Sequence, residues 1–597
     1  MEILATATTS IVQLAGGYAD SARQIVLQNL GANSVTIKAV APYDGAAPTV
    51  MTGRFVATVA AGATSSPIRV PCGFKLYLQS SGGSSDVKVS IQPWAPRYDS
   101  HFRYEAIKGF RPLSPGARLT TNIALLSGAQ SIGTGKTSNY AAVTVREPEI
   151  IIVVSGCNNN TTDRTPEAAV AASFEVKALF EHGGNVREFQ FDAGRFATVG
   201  RGSFVISRPL RMPKPITCLD QTFCYLFTKG DGSNAIPYGR EVRTDLSEYP
   251  QSGNSADRAN VVSTAGSNYS GGTSTTGYNY NPLLMVRSSK PLVVLLSDST
   301  GQYISTNKDL PRVGGFDRCG WFSMAAYDFN DAHPNPDGVV HCLNLSASAE
   351  MAYSSAERDC AYMAERIELL RVLKPDRVIL GLGANDVLNG KTAEECIESL
   401  ALIESRLYDA GVKEVWHSTI MPTNVATTDN FLTTGNMSVS NSGQNTIRNT
   451  INTWKRRQQF VLDLAAQVEH YASGVPQGIW KAAVNVKTGL VAHSTTTTTR
   501  IYTVTETNWT YAEYNAYLAV ATSGAQNGLA RIISATNNTT GPNRSLIDTG
   551  TWPSALASGD TFKIAGSYGA DNVHPAAYAQ QVLATYLRSV SRFWSFN

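Results

Sequence analysis

Residues 292–302 read LVVLLSDSTGQ. Five apolar residues in a row, Leu292, Val293, Val294, Leu295 and Leu296, run into an acid and a hydroxyl, Asp298 and Ser299, with Gly301 close behind. An unbroken apolar run of this length predicts a strand buried on both faces, the kind that parallel sheets use. Its polar end is ambiguous when taken alone, because Ser, Asp and Gly are also what an ordinary turn after a buried strand uses. Whether Ser299 is a nucleophile or a turn residue depends on what the rest of the chain brings to the same end of the sheet.

Downstream, strands alternate with amphipathic helices. Further buried strands are expected at 339–344, 377–382 and 414–421. Between them Cys360, Met363, Ile367 and Leu370 recur at helical spacing before Pro375. Cys396, Leu400, Ile403 and Leu407 do the same after a capping box, Thr392 to Glu395, with Gly411 as the stop. Strand, helix, strand, helix implies a parallel sheet with right-handed crossovers, and such sheets bind ligands at the carboxyl ends of their strands.

Several of those ends are polar. The first is Ser297-Asp298-Ser299, the second NLSASAE at 344–350, the third GANDV at 383–387, and a final helix begins at DNVHP, 571–575. A serine, an asparagine and a histidine so placed supply a nucleophile, an amide donor for an oxyanion and a general base, the requirements of acyl transfer. Each also has a plain structural use. Asn385-Asp386 can cap a helix or form an Asx turn, Asp571 can cap the helix that Pro575 opens, and His574 can be a surface residue. His341 falls inside a strand and His333 in a Pro/Asn-rich loop.

Taken in order, these four segments resemble the blocks of the SGNH (GDSL-type) hydrolase family. Ser297-Asp298-Ser299 matches a first block that is usually Gly-Asp-Ser, and Asn344 through Ala349 matches the second. Gly383-Ala384-Asn385-Asp386 and Asp571-Asn572-Val573-His574 match the third and fourth without departure. The resemblance implies an α/β three-layer domain on a flavodoxin-like parallel sheet, and a serine esterase needing no metal or other cofactor. It makes Ser299 the nucleophile, His574 the base and Asp571 the residue that orients it. Ser299, Ala349 and Asn385 form the oxyanion hole, with Asp298, Gly383 and Asp386 in support. Two positions depart from the pattern. Ser297 stands for a glycine, and Ala349 stands for the oxyanion glycine, keeping its N–H but losing easy access to positive φ.

Upstream the chain reads differently. Residues 1–95 alternate in short bursts such as RQIVLQNL and DVKVSIQPW, expected as a β-sandwich. Residues 96–285 continue with longer connections, expected as a second sandwich or jelly roll with a carbohydrate-binding role, closing in a Gly/Ser/Thr/Tyr-rich stretch at 263–281. Within it GTGKTS, 133–138, lacks both the first glycine and the following helix of a phosphate loop. The hydrolase domain is expected over 286–597, interrupted at 488–565 by a β-rich insertion holding Trp509, Tyr511, Tyr514, Tyr517 and Trp552. Those aromatics read as the insertion's core or as a sugar-stacking surface. The insertion is similar to small β-modules of phage tail and other virion proteins.

Composition limits the partners. A net charge of +3 over 597 residues argues against nucleic acid or an anionic membrane surface, and the eight cysteines include no C-x-x-C pair. No apolar run approaches the ~20 residues of a membrane span. The N-terminus has no basic segment leading an apolar one, so no ordinary export signal is expected. With the resemblance, this organisation points to a tailspike-like virion protein: a trimer, joined to other virion proteins through residues 1–95, that removes O-acetyl or other short acyl groups from a bacterial surface glycan. The alternatives are a secreted carbohydrate acetylesterase with carbohydrate-binding β-domains, and a non-catalytic receptor-binding virion protein with a decayed hydrolase fold.

Overall fold

In the computed structural model the apolar run is a strand, β1 (Leu292–Ser297), buried at every position. The structure describes residues 2–13, 23–40, 56–66, 68–70, 75–93, 104–113, 132–155, 157–160, 165–169, 173–200, 204–218, 220–229, 240–241, 249–252, 278–279, 282–302, 320–332, 334–347, 349–356, 361–423, 425–493, 497–503, 517–538, 545–549, 551–570 and 573–596.

β1 lies inside a five-stranded sheet with β2 (His341–Asn344), β3 (Arg377–Gly381), β4 (Glu414–Ser418) and β5 (Val461–Leu462). The spatial order is 2-1-3-4-5 and every pairing is parallel. Strand order therefore reverses between β1 and β3, the position at which open α/β sheets form a crevice. Strand pleating sends successive side chains to opposite faces. Leu292, Val294, Leu296, Val378 and Leu380 pack with α2 (Ala361–Leu373) and α3 (Ala393–Asp409). Val293, Leu295, Ile379 and Trp416 pack with α1 (Gly320–Ala332) and, at the C-terminal end of the chain, α5 (Ala577–Ser589). Both sides of the sheet are covered, which is why β1 has no polar alternation.

The helix signals act as expected. Ile367 and Leu370 of α2 are fully buried, whereas the side chains of Cys360 and Met363 lie outside the described residues. The chain leaves α2 at Lys374, φ +47, ahead of Pro375. The capping box forms: the Glu395 N–H donates to Thr392 Oγ1 at 3.1 Å and the Thr392 N–H to Glu395 Oε2 at 3.0 Å. Several boundaries differ. β2 starts at His341 rather than 339 and β3 ends at Gly381 rather than 382. β4 stops at Ser418, short of 421, because the N–H and C=O of Ile420 are taken by the Asn452 side chain at 2.7 and 2.8 Å instead of by a neighbouring strand. Pro575 does not open the last helix; it pairs in a bridge with Gly569, and α5 starts at Ala577.

The rest of the chain is mostly antiparallel sheet. Two four-stranded sheets, one containing Arg23–Asn29 and the other Val35–Val40, enclose Leu27, Ile37, Leu78 and Val87. Two larger sheets, built around Gln221–Lys229 and Glu149–Ser155, enclose Ile152, Phe180 and Leu226. GTGKTS lies in an extended strand, Ile132–Tyr140, paired along its length with Gln221–Lys229. Specific contacts join these pieces to the parallel sheet. Lys38, fully buried, forms an ion pair with Glu394 in the first turn of α3. His341 in β2 bonds the Pro112 carbonyl at 2.7 Å and Ser288 Oγ at 2.9 Å.

A six-stranded antiparallel sheet runs from Val484–Val491 to Thr561–Gly566. Tyr517 and Trp552 are buried in a core that this sheet shares with α1, α5 and one side of the parallel sheet, while Trp509, Tyr511 and Tyr514 lie outside the described residues. Its last strand in sequence, Thr561–Gly566, runs on toward His574.

Candidate active site

Ser299 begins a single helical turn, Ser299–Gln302, at the carboxyl end of β1. The turn is tight: a Cβ on Gly301 would lie 2.7 Å from that of Ser297, and Ser297 Oγ donates to the Gly381 carbonyl at 3.1 Å. Ser299 is buried, and its Oγ lies 2.8 Å from Nε2 of His574. The histidine sits on a turn closed by the Ala570 N–H, which donates to the His574 carbonyl at 2.9 Å, and by the Gly569–Pro575 bridge. Gly569 permits this closure, since a Cβ there would lie 2.5 Å from the Trp480 ring. Asp571 lies outside the described residues.

Asp298, the residue before the serine, is wholly buried. Its Oδ1 accepts the Thr300 N–H at 2.9 Å and the Thr300 hydroxyl at 2.7 Å, while Oδ2 has no hydrogen-bond partner among the described residues. Burial raises its pKa, against the bonds from Thr300 and the charges of His574 and Lys455.

The second segment is tied to the first. Asn344 Nδ2 donates to the Gly301 carbonyl at 2.9 Å, and the Ala347 N–H donates to the Ser297 carbonyl at 2.9 Å. Ala349 then turns the chain with φ +58, so the position does require the left-handed backbone that glycine would supply more easily. Glu350 follows, buried, in an ion pair with Arg366 of α2, whose Nη1 also donates to the Leu345 carbonyl at 2.9 Å.

The third segment clasps the second. Gly383, φ +125, redirects the chain out of β3 into a short helix, Ala384–Leu388. From it Asn385 Nδ2 donates to the Glu350 carbonyl at 3.1 Å, and Asp386 accepts the N–H groups of Ala352 and Tyr353, both at 2.8 Å. Burial pushes the Asp386 carboxyl up to about 6 despite those bonds. The serine, the histidine, the asparagine amide and the Ala349 turn are thereby gathered at the crevice between β1 and β3. A polarised hydroxyl beside a base, next to amide donors, can perform acyl transfer.

Beside these groups lies a small cavity lined by Thr300, Ala384 and Val573, the neighbours of Ser299, Asn385 and His574, and by Trp321, Ile420 and Thr423. It has room for about one water- or methyl-sized group. The Trp321 Nε1 and Thr423 Oγ1 atoms, both buried, have no partner among the described residues. His341, at the start of β2, is committed to its two bonds, and His333 lies outside the described residues. Among the described residues no group of three His, Cys, Asp or Glu side chains is placed to hold a metal ion.

One set of residues carries no motif. On α4 (Ser442–Arg456), Arg448, Asn452 and Lys455 are spaced four and three residues apart and are all buried. Arg448 donates to the Ile420 carbonyl at 3.1 Å and pairs with the buried Glu469. Lys455 Nζ donates to the carbonyls of Leu382 and Ser418 at 2.8 and 2.7 Å. The only signal in the sequence is that this stripe runs beside the apolar one of Ile447, Ile451 and Trp454, a pattern that ordinarily marks the edge of a solvated face.

No protein-family model and no curated protein matches the chain. Solved structures match part of it. TesA is 19% identical, with 22% of this chain and 61% of that one covered and a TM-score of 0.17. An Axe2 variant, an acetyl-xylooligosaccharide esterase from Geobacillus stearothermophilus, is 14% identical over 30% of this chain and 78% of its own, with a TM-score of 0.22. The psychrotrophic esterase EstA from Pseudoalteromonas sp. is 16% identical over 29% of this chain and 75% of its own, with a TM-score of 0.20. This chain is thus similar, over less than a third of its length, to proteins that include named esterases.

Proposed function

We propose that the chain is a serine ester hydrolase acting on short acyl esters. The observation that carries this reading is the 2.8 Å approach of Ser299 Oγ to His574 Nε2 at the point where strand order reverses. His574 takes the hydroxyl proton as Ser299 attacks the ester carbonyl. The N–H groups of Ser299 and Ala349 and the Asn385 amide receive the developing oxyanion, and His574 returns the proton to the leaving alcohol. Water then cleaves the acyl-enzyme by the same path. Asp571, three residues before His574, is assigned to orient the imidazole.

The substrate we infer is an O-acetylated surface polysaccharide of a bacterium. In this reading the chain is a trimeric virion component, attached through residues 1–95. Its support is the serial arrangement of two β-sandwiches ahead of the parallel sheet and a β-rich insertion leading into the His574 turn.

The test is turnover of an aryl acetate and acetate release from a panel of acetylated polysaccharides, with native mass measured alongside. Ser299→Ala and His574→Ala should each lose at least about 10³ in kcat. Either variant keeping a tenth of wild-type turnover while folded would refute the role given to that residue.

A further inference from the structure

Lys455 is the most unusual of the buried groups near the site. Its side chain is wholly removed from solvent, and it is fastened to two carbonyls. Leu382 is the residue that follows β3, and Ser418 ends β4. A methionine would fill nearly the same space without the desolvation penalty of an ammonium group. What the ammonium adds is its protons and its charge.

The protons act on the segment that presents Asn385. The carbonyl held by Lys455 belongs to Leu382, and Gly383, φ +125, turns the chain at the next residue. Two residues further on, Asn385 reaches the Glu350 carbonyl. The root of that turn is fixed against β4 by one Nζ atom, and the Asn452 clamp on Ile420 fixes the continuation of β4.

The charge acts on the same region. The groups that face Lys455 are Asp298 from the turn after β1, Asp386 from helix 384–388 and the Cys396 thiol of α3. His574 faces Asp298 as well. Two buried carboxylates therefore share one buried lysine.

We propose that Lys455 is a positioning residue of the ester-hydrolysing site: it ties the ends of β3 and β4 so that the Asn385 turn is held in place, and its charge balances Asp298 and Asp386. This rests on the serine-hydrolase reading. Burial draws the Lys455 ammonium down to about 8, with Cys396, Asp298 and Asp386 opposing that fall. The sign follows: the lysine is charged at neutral pH and gives up its proton as pH rises through about 8; the neutral amine still has N–H donors for both carbonyls, but the site loses its balancing charge.

The experiment measures kcat and KM for an aryl acetate on the full chain, from about pH 6 to about pH 9.5, for wild type, Ser299→Ala, Lys455→Met and Lys455→Gln. Wild-type kcat should fall along an alkaline limb centred near 8. Lys455→Met should lower neutral-pH kcat about tenfold or more, keep KM within about twofold, and lack that limb. Lys455→Gln, which retains donors without the charge, should fall between the two and also lack the limb. A folded Lys455→Met with kcat within about twofold of wild type overturns the proposal, as does a wild-type kcat that stays level to the top of the range. If Lys455→Met fails to fold by circular dichroism, the wild-type limb and Lys455→Gln decide. Activity that survives Ser299→Ala instead sinks the serine reading, and this inference with it. Loss in Ser299→Ala beside an unaltered Lys455→Met sinks the inference alone.

Discussion

Replacing Gly383 by alanine should damage both the fold and the chemistry, and the size of each effect can be worked from the site. At φ +125 the backbone is in a region that L-residues rarely enter, which costs about 1–3 kcal/mol. An added Cβ would also lie 2.8 Å from Ile420 Cδ1 and 3.4 Å from Cys396 Sγ. Ile420 has little freedom to retreat, because its own N–H and C=O are held by Asn452 and its side chain is buried. Overpacking of this kind adds about 1–3 kcal/mol, so a loss of roughly 2–6 kcal/mol is expected if the turn keeps its shape. If the turn relaxes, Asn385 moves and kcat falls by up to about 10²–10³, the value of one oxyanion donor. Urea unfolding followed by tryptophan fluorescence reads the first effect and aryl acetate turnover the second. Gly390→Ala is the control: its φ is +72, but nothing lies within 4 Å of the added atom. It should cost only about 1–2 kcal/mol and leave kcat unchanged. The reasoning fails if Gly383→Ala stays within about 1 kcal/mol and twofold in kcat, or if the two variants behave alike.

Ala349→Gly should change little: relief of left-handed strain, about 1–2 kcal/mol, is offset by about 0.4–1 kcal/mol of unfolded-chain entropy, and the donating N–H is retained. A tenfold rise in kcat would instead show that the methyl group distorts the oxyanion site. His341 should contribute to the loss of stability in acid. Burial holds its folded pKa down to about 3 against the ordinary histidine value of 6.5, so the unfolded chain binds the extra proton between those limits. Its contribution to stability therefore falls by about 1.4 kcal/mol for each pH unit below 6.5, until pH reaches about 3. Unfolding measured from about pH 7 to about pH 4 should show a shallower slope in His341→Gln than in wild type, and equal slopes would refute the assignment.

The parallel sheet was readable because its strands are buried on both sides. Leu292 to Leu296 could not alternate, and Pro375, Gly411 and the Thr392–Glu395 box punctuated the helices between them. The Ser299–His574 approach was legible only as a pairing of short motifs far apart in the chain. The residues that hold the site together gave no such signal. Arg366, Arg448 and Lys455 have the identities of solvated helix residues, and their burial depends on Glu350, Glu469 and two strand-end carbonyls that only the tertiary fold brings near. The positive φ of Ala349 was equally hidden, since alanine does not advertise a left-handed turn as glycine does. The halt of β4 at Ser418 went unseen for a related reason: Trp416 through Met421 reads as one strand until Asn452 of α4 captures Ile420.

Ser299 and His574 lie 275 positions apart, and an entire six-stranded sheet is built from the chain between them. During synthesis the two sandwiches and most of the parallel sheet are complete before the base has been translated. Domains fold in order of emergence, and contacts of such long sequence separation close late. On the ester-hydrolase reading, a chain made only as far as the six-stranded sheet lacks its base and is silent, so turnover reports that folding has brought Ser299 and His574 together.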